Sequence, residues 1–493
     1  MNNIIVLPMV IPLFTAIILI FFLSYVRVQY WLSLVALVIT AALSGYMLEL
    51  IQREGILRLD FGQWPPPFGI LFVADSFATI LVLTASIVSA LILIYAYYAG
   101  QSEHDHPRFF YSLILFLVAG VNGSFLTGDI FNLFVCFEVM LLASYVLITL
   151  GGRKRQLRES VKYIGINVLS SWLFLVAIAY LYGTAGTLNM AHLAERMAEA
   201  GPTPLITVIS ILFLIVFSLK AGLLLYFWLP GAYSAPPTAV AALFGALLTK
   251  VGIYALFRIF SLLFYHDPFV SETLLGIMAA LTLIGGSIGA VAYNDIRHIV
   301  AYNVVIAVGF ILVGLAIATP AAIEGSIYYL IHDMIAKGLL FLLAGTIVTL
   351  TGTGKIEEMS GLIRHYPLLG WLFFIVILSL VGIPPLSGFI GKVLLGQGAV
   401  QAEAYLLLGL AFLSSLFVLY SLLRIFLNCF WGETTISEGE ETPLRKGLII
   451  PSFILAMLMF GLGLGAELLA PYVKEAAETL LNPNLYIEPI LYQ

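Results

Sequence analysis

Residues 131–150 read FNLFVCFEVMLLASYVLITL, a run of twenty largely apolar residues that contains one acid, Glu138. About twenty such residues in a helix, rising roughly 1.5 Å each, cross the hydrocarbon core of a bilayer. In the helix expected at 129–150, Glu138 lies about 13 Å from the first residue, near the middle of the membrane. A carboxylate at that depth is costly unless it has a partner, and such residues commonly mark an ion or proton path.

The composition of the whole chain agrees with this stretch. Of 493 residues, 61% are hydrophobic and 10% are charged, and the mean hydropathy is +1.07. Soluble domains carry about 25% charged residues. The N-terminal apolar run has no basic residues before it and no clear cleavage site, so we expect it to be retained as a first span. The fold class predicted is an all-α polytopic membrane protein.

The sequence lacks the common signatures of cofactor chemistry. Its two cysteines, Cys136 and Cys429, lie in separate apolar runs, where buried thiols are expected. There is no Cys/His cluster of the kind that binds metals and no Gly-rich phosphate loop. We therefore expect no metal, no cofactor, no catalytic residues and no nucleic-acid partner, so the chain is not expected to be an enzyme.

Apolar stretches of membrane-spanning length predict about fourteen spans. Between spans 2 and 3, residues 54–69 (EGILRLDFGQWPPPFG) suit a short hairpin or an irregular cap. Between spans 6 and 7, residues 187–201 (TLNMAHLAERMAEAG) suit an amphipathic surface helix. The predicted spans are 3–25, 29–51, 72–99, 108–127, 129–150, 161–183, 203–227, 237–264, 272–293, 299–319, 323–350, 367–398, 403–431 and 447–472.

The basic residues orient these spans. An even number of spans places both termini on one side, which carries five Lys and Arg residues, whereas thirteen lie on the other side. The side richer in Lys and Arg is normally cytoplasmic. We therefore expect a multi-pass protein of a prokaryotic plasma membrane, with both termini outside the cytoplasm.

The remaining four basic residues fall inside spans, and with two further groups they form the candidate site. Each charged side chain at a helix centre costs about 2.5–3.5 kcal/mol on insertion scales. Six such groups in five spans favour a mid-membrane proton relay over six separate structural roles. The candidate relay residues are Glu138, Lys220, Lys250, His332, Lys337 and Lys392.

Structural explanations stay open for individual members. A lone lysine can pair with a carbonyl or extend towards an interface. Lys337 has Asp333 four residues earlier on the same helix face as a possible local partner, and His332 alone suits a hydrogen-bonded core histidine equally well. Three further acids lie near predicted helix ends, where capping or solvation explains them, namely Asp75, Asp129 and Glu324.

Two spans carry residues that break helices. Span 7 runs into SLKAGLLLYFWLPGAYSAPPTA and span 12 contains SLVGIPPLSGFIGK. Interrupted helices at membrane depth are tolerated where they line a cavity. The two broken spans stand five apart, so we expect two inverted five-helix repeats, spans 4–8 and 9–13. The helix breaks are predicted at Pro230, Pro236, Pro237, Pro384 and Pro385.

The same spacing gives the expected domain organisation. It assigns 1–107 to spans 1–3, 108–264 to the first repeat, 265–431 to the second repeat, and 432–493 to span 14 and the tail. For mechanism, we hypothesise that Glu138 pairs with Lys220 and holds a proton on it, and that separating the pair releases the proton. A desolvated lysine can alternate between its charged and neutral forms, which makes such a step feasible.

Three longer motifs resemble a known family. They are FVCFEVMLLASYVL around Glu138, WLPGAYSAPPTAVAALFGALLTKVGIYALFRIF around Lys250, and IYYLIHDMIAKGLLFLLAG around His332 and Lys337. They resemble the antiporter-like subunits shared by respiratory complex I and Mrp-type cation/proton antiporters. Within that family the chain is most similar to the D-subunit group of Mrp-type Na⁺/H⁺ antiporters, since span 12 carries Lys392.

This resemblance implies a function and partners. It implies a coupled Glu138–Lys220 pair, further relay sites at Lys250, His332, Lys337 and Lys392, and a hetero-oligomeric complex that exchanges H⁺ for Na⁺ or K⁺. Protons are expected to cross here and Na⁺ elsewhere in the complex. Tyr233 stands where many complex I relatives have histidine, which favours the Mrp-type interpretation.

Two other functions remain as alternatives. One is a proton-pumping subunit of complex I or of a membrane hydrogenase, with the same relay driven by electron transfer in partner subunits. The other is a structural subunit that moves no ions, against which the buried ionisable groups argue.

Overall fold

The computed structural model describes residues 2–100, 107–433 and 444–492, and these are almost entirely helical apart from one two-stranded sheet. The helices of the N-terminal half are α1 Leu7–Leu19, α2 Val26–Glu54, α3 Ser76–Ala99, α4 Phe110–Leu126, α5 Ile130–Thr149, α6 Lys154–Ala185, α7 Met190–Ala200, α8 Pro204–Ala221, α9 Leu229–Ser234, α10 Thr238–Leu243 and α11 Thr249–Leu262. The helices of the C-terminal half are α12 Leu275–Ala292, α13 Ile296–Ile317, α14 Pro320–Thr351, α15 Pro367–Val381, α16 Ser387–Gln401, α17 Tyr405–Phe430, α18 Lys446–Leu464, α19 Ala466–Leu481 and α20 Asn484–Leu491.

The polytopic all-α prediction is confirmed. Twelve helical segments of the described chain are long and apolar enough to cross a membrane. Two shorter apolar helices, α4 and α15, occupy predicted spans 4 and 12. A π-helical segment, Phe244–Leu248, joins α10 to α11, and these three pieces form one continuous span, Thr238–Leu262. The inverted repeat and the domain limits stay predictions.

The loop between spans 2 and 3 contains a hairpin, one of the two conformations expected for it. Strand β1 (Leu57–Asp60) pairs antiparallel with β2 (Leu71–Ala74), and Leu57 lies opposite Ala74. The prediction that span 3 begins at residue 72 is therefore wrong, because the backbone there is extended and paired. The helix begins at Ser76 because the Asp75 carboxylate accepts a hydrogen bond from the Ala78 amide at 2.8 Å and caps it.

The predicted surface helix between spans 6 and 7 is also present. Asn189 caps α7 by accepting hydrogen bonds from the Ala191 and His192 amides, each at 3.1 Å. The apolar side of α7 buries Leu193 and Met197.

The last predicted span is divided. The sequence predicts one helix over 447–472, but α18 ends at Leu464, and α19 follows Gly465. α18 approaches the second helix break closely, since a Cβ atom on Gly463 would overlap the Pro385 carbonyl oxygen. α19 is amphipathic and carries charged residues on one face.

Both predicted helix breaks are present. α8 ends at Ala221, Gly222 adopts the left-handed conformation with φ +78°, and regular helix returns only at α9. The prediction of a break at Pro230 is wrong, because this residue lies in the first turn of α9, where proline is tolerated. Pro236 and Pro237 separate α9 from α10. In the second break α15 ends at Val381 and α16 begins at Ser387, with Pro384 and Pro385 between them.

Burial shows which helices form the centre of the molecule. In the most apolar stretch of the span formed by α10 and α11 every residue is buried, and in that of α13 94% of the residues are buried. The corresponding fraction for α1 is 28% and for α17 is 33%, which is typical of lipid-facing helices. The predicted site residues on α11 and α14 therefore lie in the protein interior.

Candidate functional site

Glu138 and Lys220 meet through a serine. Lys220 lies in the last turn of α8 and is buried, whereas Glu138 on α5 is half-buried. Ser171 on α6 donates a hydrogen bond to the Glu138 carboxylate and accepts one of 3.2 Å from the Lys220 ammonium. The ammonium also lies 5.1 Å from the centre of the Phe137 ring, an arrangement that stabilises a cation.

The expected pair is therefore a triad, and Ser171 is a site residue that sequence reasoning missed. Nothing in span 6 distinguishes this serine from Ser170 beside it. A hydroxyl that donates to a carboxylate and accepts from an ammonium can pass a proton between them by exchanging its two hydrogen bonds.

The break after α8 brings the next lysine close. A Cβ atom on Gly252 would lie 2.6 Å from the Ala221 backbone nitrogen, so α11 can pack directly on the end of α8 only because this residue is glycine. Ala221 follows Lys220, and Gly252 lies two residues after Lys250. The two lysines thus flank the point where the helices touch.

Lys250, Asp333 and Lys337 form a second buried group. The Asp333 carboxylate lies 2.8 Å from the Lys250 ammonium and 3.0 Å from the Lys337 ammonium, and all three side chains are at most 1% exposed. Lys250 also donates to the Gly245 carbonyl at 2.7 Å, within the π-helical segment. Two cations share one acid here, and such a cluster can hold or release a proton with a small change in geometry.

Asp333 has one more partner than the sequence predicted. The local pair with Lys337 is present, but the same carboxylate reaches Lys250 in the preceding half of the chain. A contact between α11 and α14 depends on how the helices pack, so sequence spacing could reveal only the contact four residues away.

His332 and Lys392 lie at the second helix break. The His332 Nδ1 atom is 2.8 Å from the Ser387 hydroxyl at the start of α16, and Nε2 is buried without a partner among the described residues. The Lys392 ammonium donates to the Leu380 and Val381 carbonyls at 2.9 and 2.8 Å and to the Ser415 hydroxyl at 2.7 Å. The carbonyls are free because α15 ends there, so the break itself provides acceptors for this lysine.

Glycines allow the helices around this region to approach closely. A Cβ atom on Gly391 would lie 2.9 Å from the Gly325 carbonyl oxygen. Because Gly391 has no side chain, α16 can pack directly against α14. His332 on α14 and Lys392 on α16 are thereby kept on facing helices. A cation on Lys392 is further supported by the Phe310 and Tyr329 rings, at 5.4 and 5.7 Å.

The three acids that were expected to cap helices or contact solvent have different surroundings. Asp129 caps α5 by accepting from the Asn132 amide at 2.8 Å, and burial raises the pKa of its carboxyl to about 6. Glu324 lies in the second turn of α14 and is half-buried. Asp75 caps α3 but also forms a buried ion pair with Arg258, at 2.5 Å.

The Asp75–Arg258 pair was not predicted. The sequence places Arg258 near a helix end, yet its side chain is only 3% exposed. Its guanidinium packs between aromatic rings and lies 4.9 Å from the Tyr486 ring of α20. Within the described residues no group of three or more His, Cys, Asp and Glu side chains is arranged to hold a metal ion.

The site residues thus fall into three contact groups along α5, α6, α8, α11, α14 and α16. They comprise the Glu138–Ser171–Lys220 triad, the Lys250–Asp333–Lys337 cluster, and, at the second break, His332 and Lys392, which both lie beside the Tyr329 ring. The six predicted positions all lie in these groups.

Comparisons with known proteins agree on one family. A family model described as NADH:quinone oxidoreductase/Mrp antiporter, TM matches residues 127–418. The chain is 50% identical over 492 residues to the D subunit of the Na(+)/H(+) antiporter of Bacillus subtilis strain 168, with all of both chains covered. It is 46% identical over 493 residues to the D subunit of the Na(+)/H(+) antiporter of Alkalihalophilus pseudofirmus, again over the full length of both.

A solved structure gives the same result for the fold. A chain in the Mrp complex from Dietzia sp. DQ12-45-1b superposes on this one with a TM-score of 0.92, at 31% identity and with both chains fully covered.

Proposed function

The chain belongs to the NADH:quinone oxidoreductase/Mrp antiporter transmembrane family, and we propose that it is the proton-translocating subunit of a multisubunit antiporter that exchanges Na⁺ or K⁺ for H⁺. Relatives that match over their full length are named as the D subunit of an Na(+)/H(+) antiporter, which supports a role in ion exchange. The partners in this proposal are the other membrane subunits of such a complex, as in the Mrp complex that this fold matches. The chain spans the plasma membrane with both termini outside the cytoplasm.

The observation that carries the proposal is the row of buried cations in contact with acids and hydroxyls. Four lysines are buried at 0–4% exposure. Three of them donate to a hydroxyl or a carbonyl, and Lys337 forms an ion pair with Asp333. Buried charges of this kind are costly and are kept where they serve ion or proton movement. In the relay we propose, a proton passes among the three contact groups.

Several buried polar atoms close to the relay residues have no hydrogen-bond partner among the described residues. The hydroxyls of Ser218 and Thr249, close in sequence to Lys220 and Lys250, have no protein partner in the described part of the chain. Near the second break, His332 Nε2 and the Ser379 hydroxyl also have no hydrogen-bond partner among the described residues. Buried groups of this kind bind ordered water, which can bridge separated donors and acceptors.

Glu138 has a specific role in this proposal. Through Ser171 its negative charge favours the protonated form of Lys220. When the hydrogen bonds of Ser171 rearrange, that support is lost and Lys220 releases its proton towards Lys250. The relay then runs through the Asp333 cluster to His332 and Lys392.

The test measures cation-driven ΔpH in everted membrane vesicles from a host that lacks its own antiporters. The host expresses the complete set of antiporter subunits with this chain as wild type, Glu138→Gln or Lys220→Ala. We expect both variants to lose nearly all Na⁺/H⁺ exchange while they assemble normally, as judged by co-purification of the subunits. Wild-type exchange in both variants would show that the ion path lies in another subunit.

The complex I-type alternative draws on the same family description, which includes NADH:quinone oxidoreductase. It predicts that the native chain co-purifies with iron–sulfur and flavin subunits. Full-length identity of 46–50% to named Na(+)/H(+) antiporter subunits favours the antiporter.

A further inference from the structure

A second candidate site lies away from the relay, at one end of the helix bundle. A cavity of about 580 Å³ opens between the C-terminal end of α3 and the starts of α6, α10 and α13. Arg153, just before α6, and Arg297, in the first turn of α13, both line it. This is the face of the molecule that carries most of the basic residues flanking the spans.

The described residues that line this cavity include two arginines and no carboxylate. Within residues 2–100, 107–433 and 444–492, neither the Arg153 nor the Arg297 guanidinium donates to a carboxylate, hydroxyl or carbonyl oxygen. A third arginine beside them, Arg155, donates to the Ser234 hydroxyl at 2.9 Å and also lies 3.4 Å from the His298 ring. An arginine has five N–H donors, so these two guanidinium groups have donors available to a ligand in the cavity.

The nearby carboxylate is already engaged. Asp295 caps α13 by accepting from the Arg297 and His298 amides at 3.0 and 3.1 Å, and it lies 3.3 Å from His298 Nδ1. Burial raises the pKa of Asp295, but the hydrogen bonds from the His298 side chain and amide outweigh this and lower it below its usual value. The carboxylate is therefore charged and hydrogen-bonded to its own helix. It lies near Arg297, but Arg153 and Arg297 are the only charged residues among the described ones that line the cavity.

Backbone donors add to the positive charge of these two arginines. The span Thr238–Leu262 begins at the cavity wall, where Thr238 and Ala239 line it, and Pro237 before it provides no side-chain cap. The amides of a first helical turn have no partner within the helix, and they carry the positive end of the helix dipole. Together with two arginines this is the donor set that suits a phosphate group.

We propose that this cavity binds the phosphate group of a phospholipid. The remaining walls are apolar and include Phe110, Leu150 and Leu448 at the ends of membrane-spanning helices. A free phosphate ion needs only the donors, whereas a lipid also uses the apolar wall for its glycerol and upper acyl chain. Basic pockets between helix ends on the positively charged side of a membrane protein bind lipid head groups in this way.

The experiment uses the assembled complex, purified in mild detergent with no added lipid. Bound phospholipid is counted by native mass spectrometry and by phosphorus analysis after extraction. The variants are Arg153→Gln/Arg297→Gln, Arg297→Lys and, as the matched control, Arg364→Gln, an exposed arginine on the same face of the molecule. A second measurement follows the unfolding temperature of each complex after addition of phosphatidylglycerol or of inorganic phosphate.

We expect the wild type and Arg364→Gln to retain one more phospholipid per complex than the double variant, and Arg297→Lys to fall between them. Added phosphatidylglycerol should raise the unfolding temperature of the wild type but not of the double variant. If lipid retention is equal and inorganic phosphate alone stabilises the wild type selectively, the site binds phosphate without the lipid, and the lipid assignment is overturned. Equal lipid retention with no selective stabilisation by either compound overturns the site altogether.

Discussion

Asp333 has two lysine partners, so a substitution at this single residue affects both Lys250 and Lys337 in the proposed relay. Asp333→Asn leaves Lys250 and Lys337 facing each other without an acid, in a region where all three side chains are buried. Removing one partner of a buried ion pair costs about 3–5 kcal/mol. We expect Na⁺/H⁺ exchange in everted vesicles to fall more than tenfold, with reduced yield of the complex.

The matched control for this prediction is Glu49→Gln, which breaks an exposed pair with Arg53. Exposed pairs contribute about 0–1 kcal/mol, so exchange and yield should stay at the wild-type level. Exchange at the wild-type level in Asp333→Asn would remove this carboxylate from the relay.

The Asp75–Arg258 pair allows a separate prediction about stability. Arg258→Met leaves the buried Asp75 carboxylate without its partner, which should lower the free energy of unfolding by about 3–5 kcal/mol. Asp75→Asn/Arg258→Met removes both charges, and asparagine can still cap α3, so much of that loss should be recovered. The measurement is the unfolding temperature of the purified complex by intrinsic fluorescence, and additive losses in the double variant would contradict the pairing.

At the scale of helices, Gly388 controls how the two halves of the second broken span meet. A Cβ atom on this residue would overlap the Ser379 carbonyl oxygen and lie 3.0 Å from His332 Nε2. Gly388→Ala must therefore push α16 away from α15 and disturb the contact between His332 and Ser387. We expect at least a tenfold loss of cation-driven ΔpH formation in vesicles.

Gly396 provides the control on the same helix. Its Cβ atom would lie 3.4 Å from the Phe412 ring, which is ordinary contact, and alanine favours helix more than glycine does. Gly396→Ala should therefore keep full exchange and equal or slightly higher stability. A loss of exchange in both variants to the same degree would mean that α16 tolerates no added side chain, and the argument from Gly388 would fail.

The positions of the spans and of both interrupted helices could be predicted from the sequence, but some helix ends could not. Hydropathy located the spans, and Pro and Gly located both breaks, because these properties are local to the chain. The start of α3 and the division after α18 were missed, since the first depends on pairing with β1 and the second on a single residue, Gly465, between two helices.

At the scale of the whole molecule, the six predicted relay residues lie in three contact groups, but the sequence did not identify all of their partners. Insertion cost singled out the buried lysines from the sequence alone, and their role in a relay stays a prediction. The sequence could not show that Ser171 lies between Glu138 and Lys220, or that Asp333 joins two lysines. Those contacts arise from the packing of separate helices, for which one sequence carries no direct signal.

The surface around Glu138 has a consequence for assembly. The outer side of α5 exposes Phe131, Val135, Leu142 and Val146, and the half-buried Glu138 lies between the middle two in sequence. A carboxylate at the edge of a lipid-facing surface is unfavourable in a bilayer. We therefore expect another subunit of the complex to cover this side of α5 and to place a polar or basic group near Glu138.

A photo-reactive phenylalanine analogue introduced at Leu142 tests this arrangement. In membranes that contain the complete complex we expect it to form a covalent adduct with one other subunit in high yield, because Leu142 is 60% exposed on the α5 surface. The control position is Val38 on α2, which is 54% exposed on a surface without ionisable residues at mid-depth and should label mainly lipid. If Leu142 also labels only lipid, Glu138 has no partner from another subunit, and its charge must be balanced within this chain by Ser171 and Lys220.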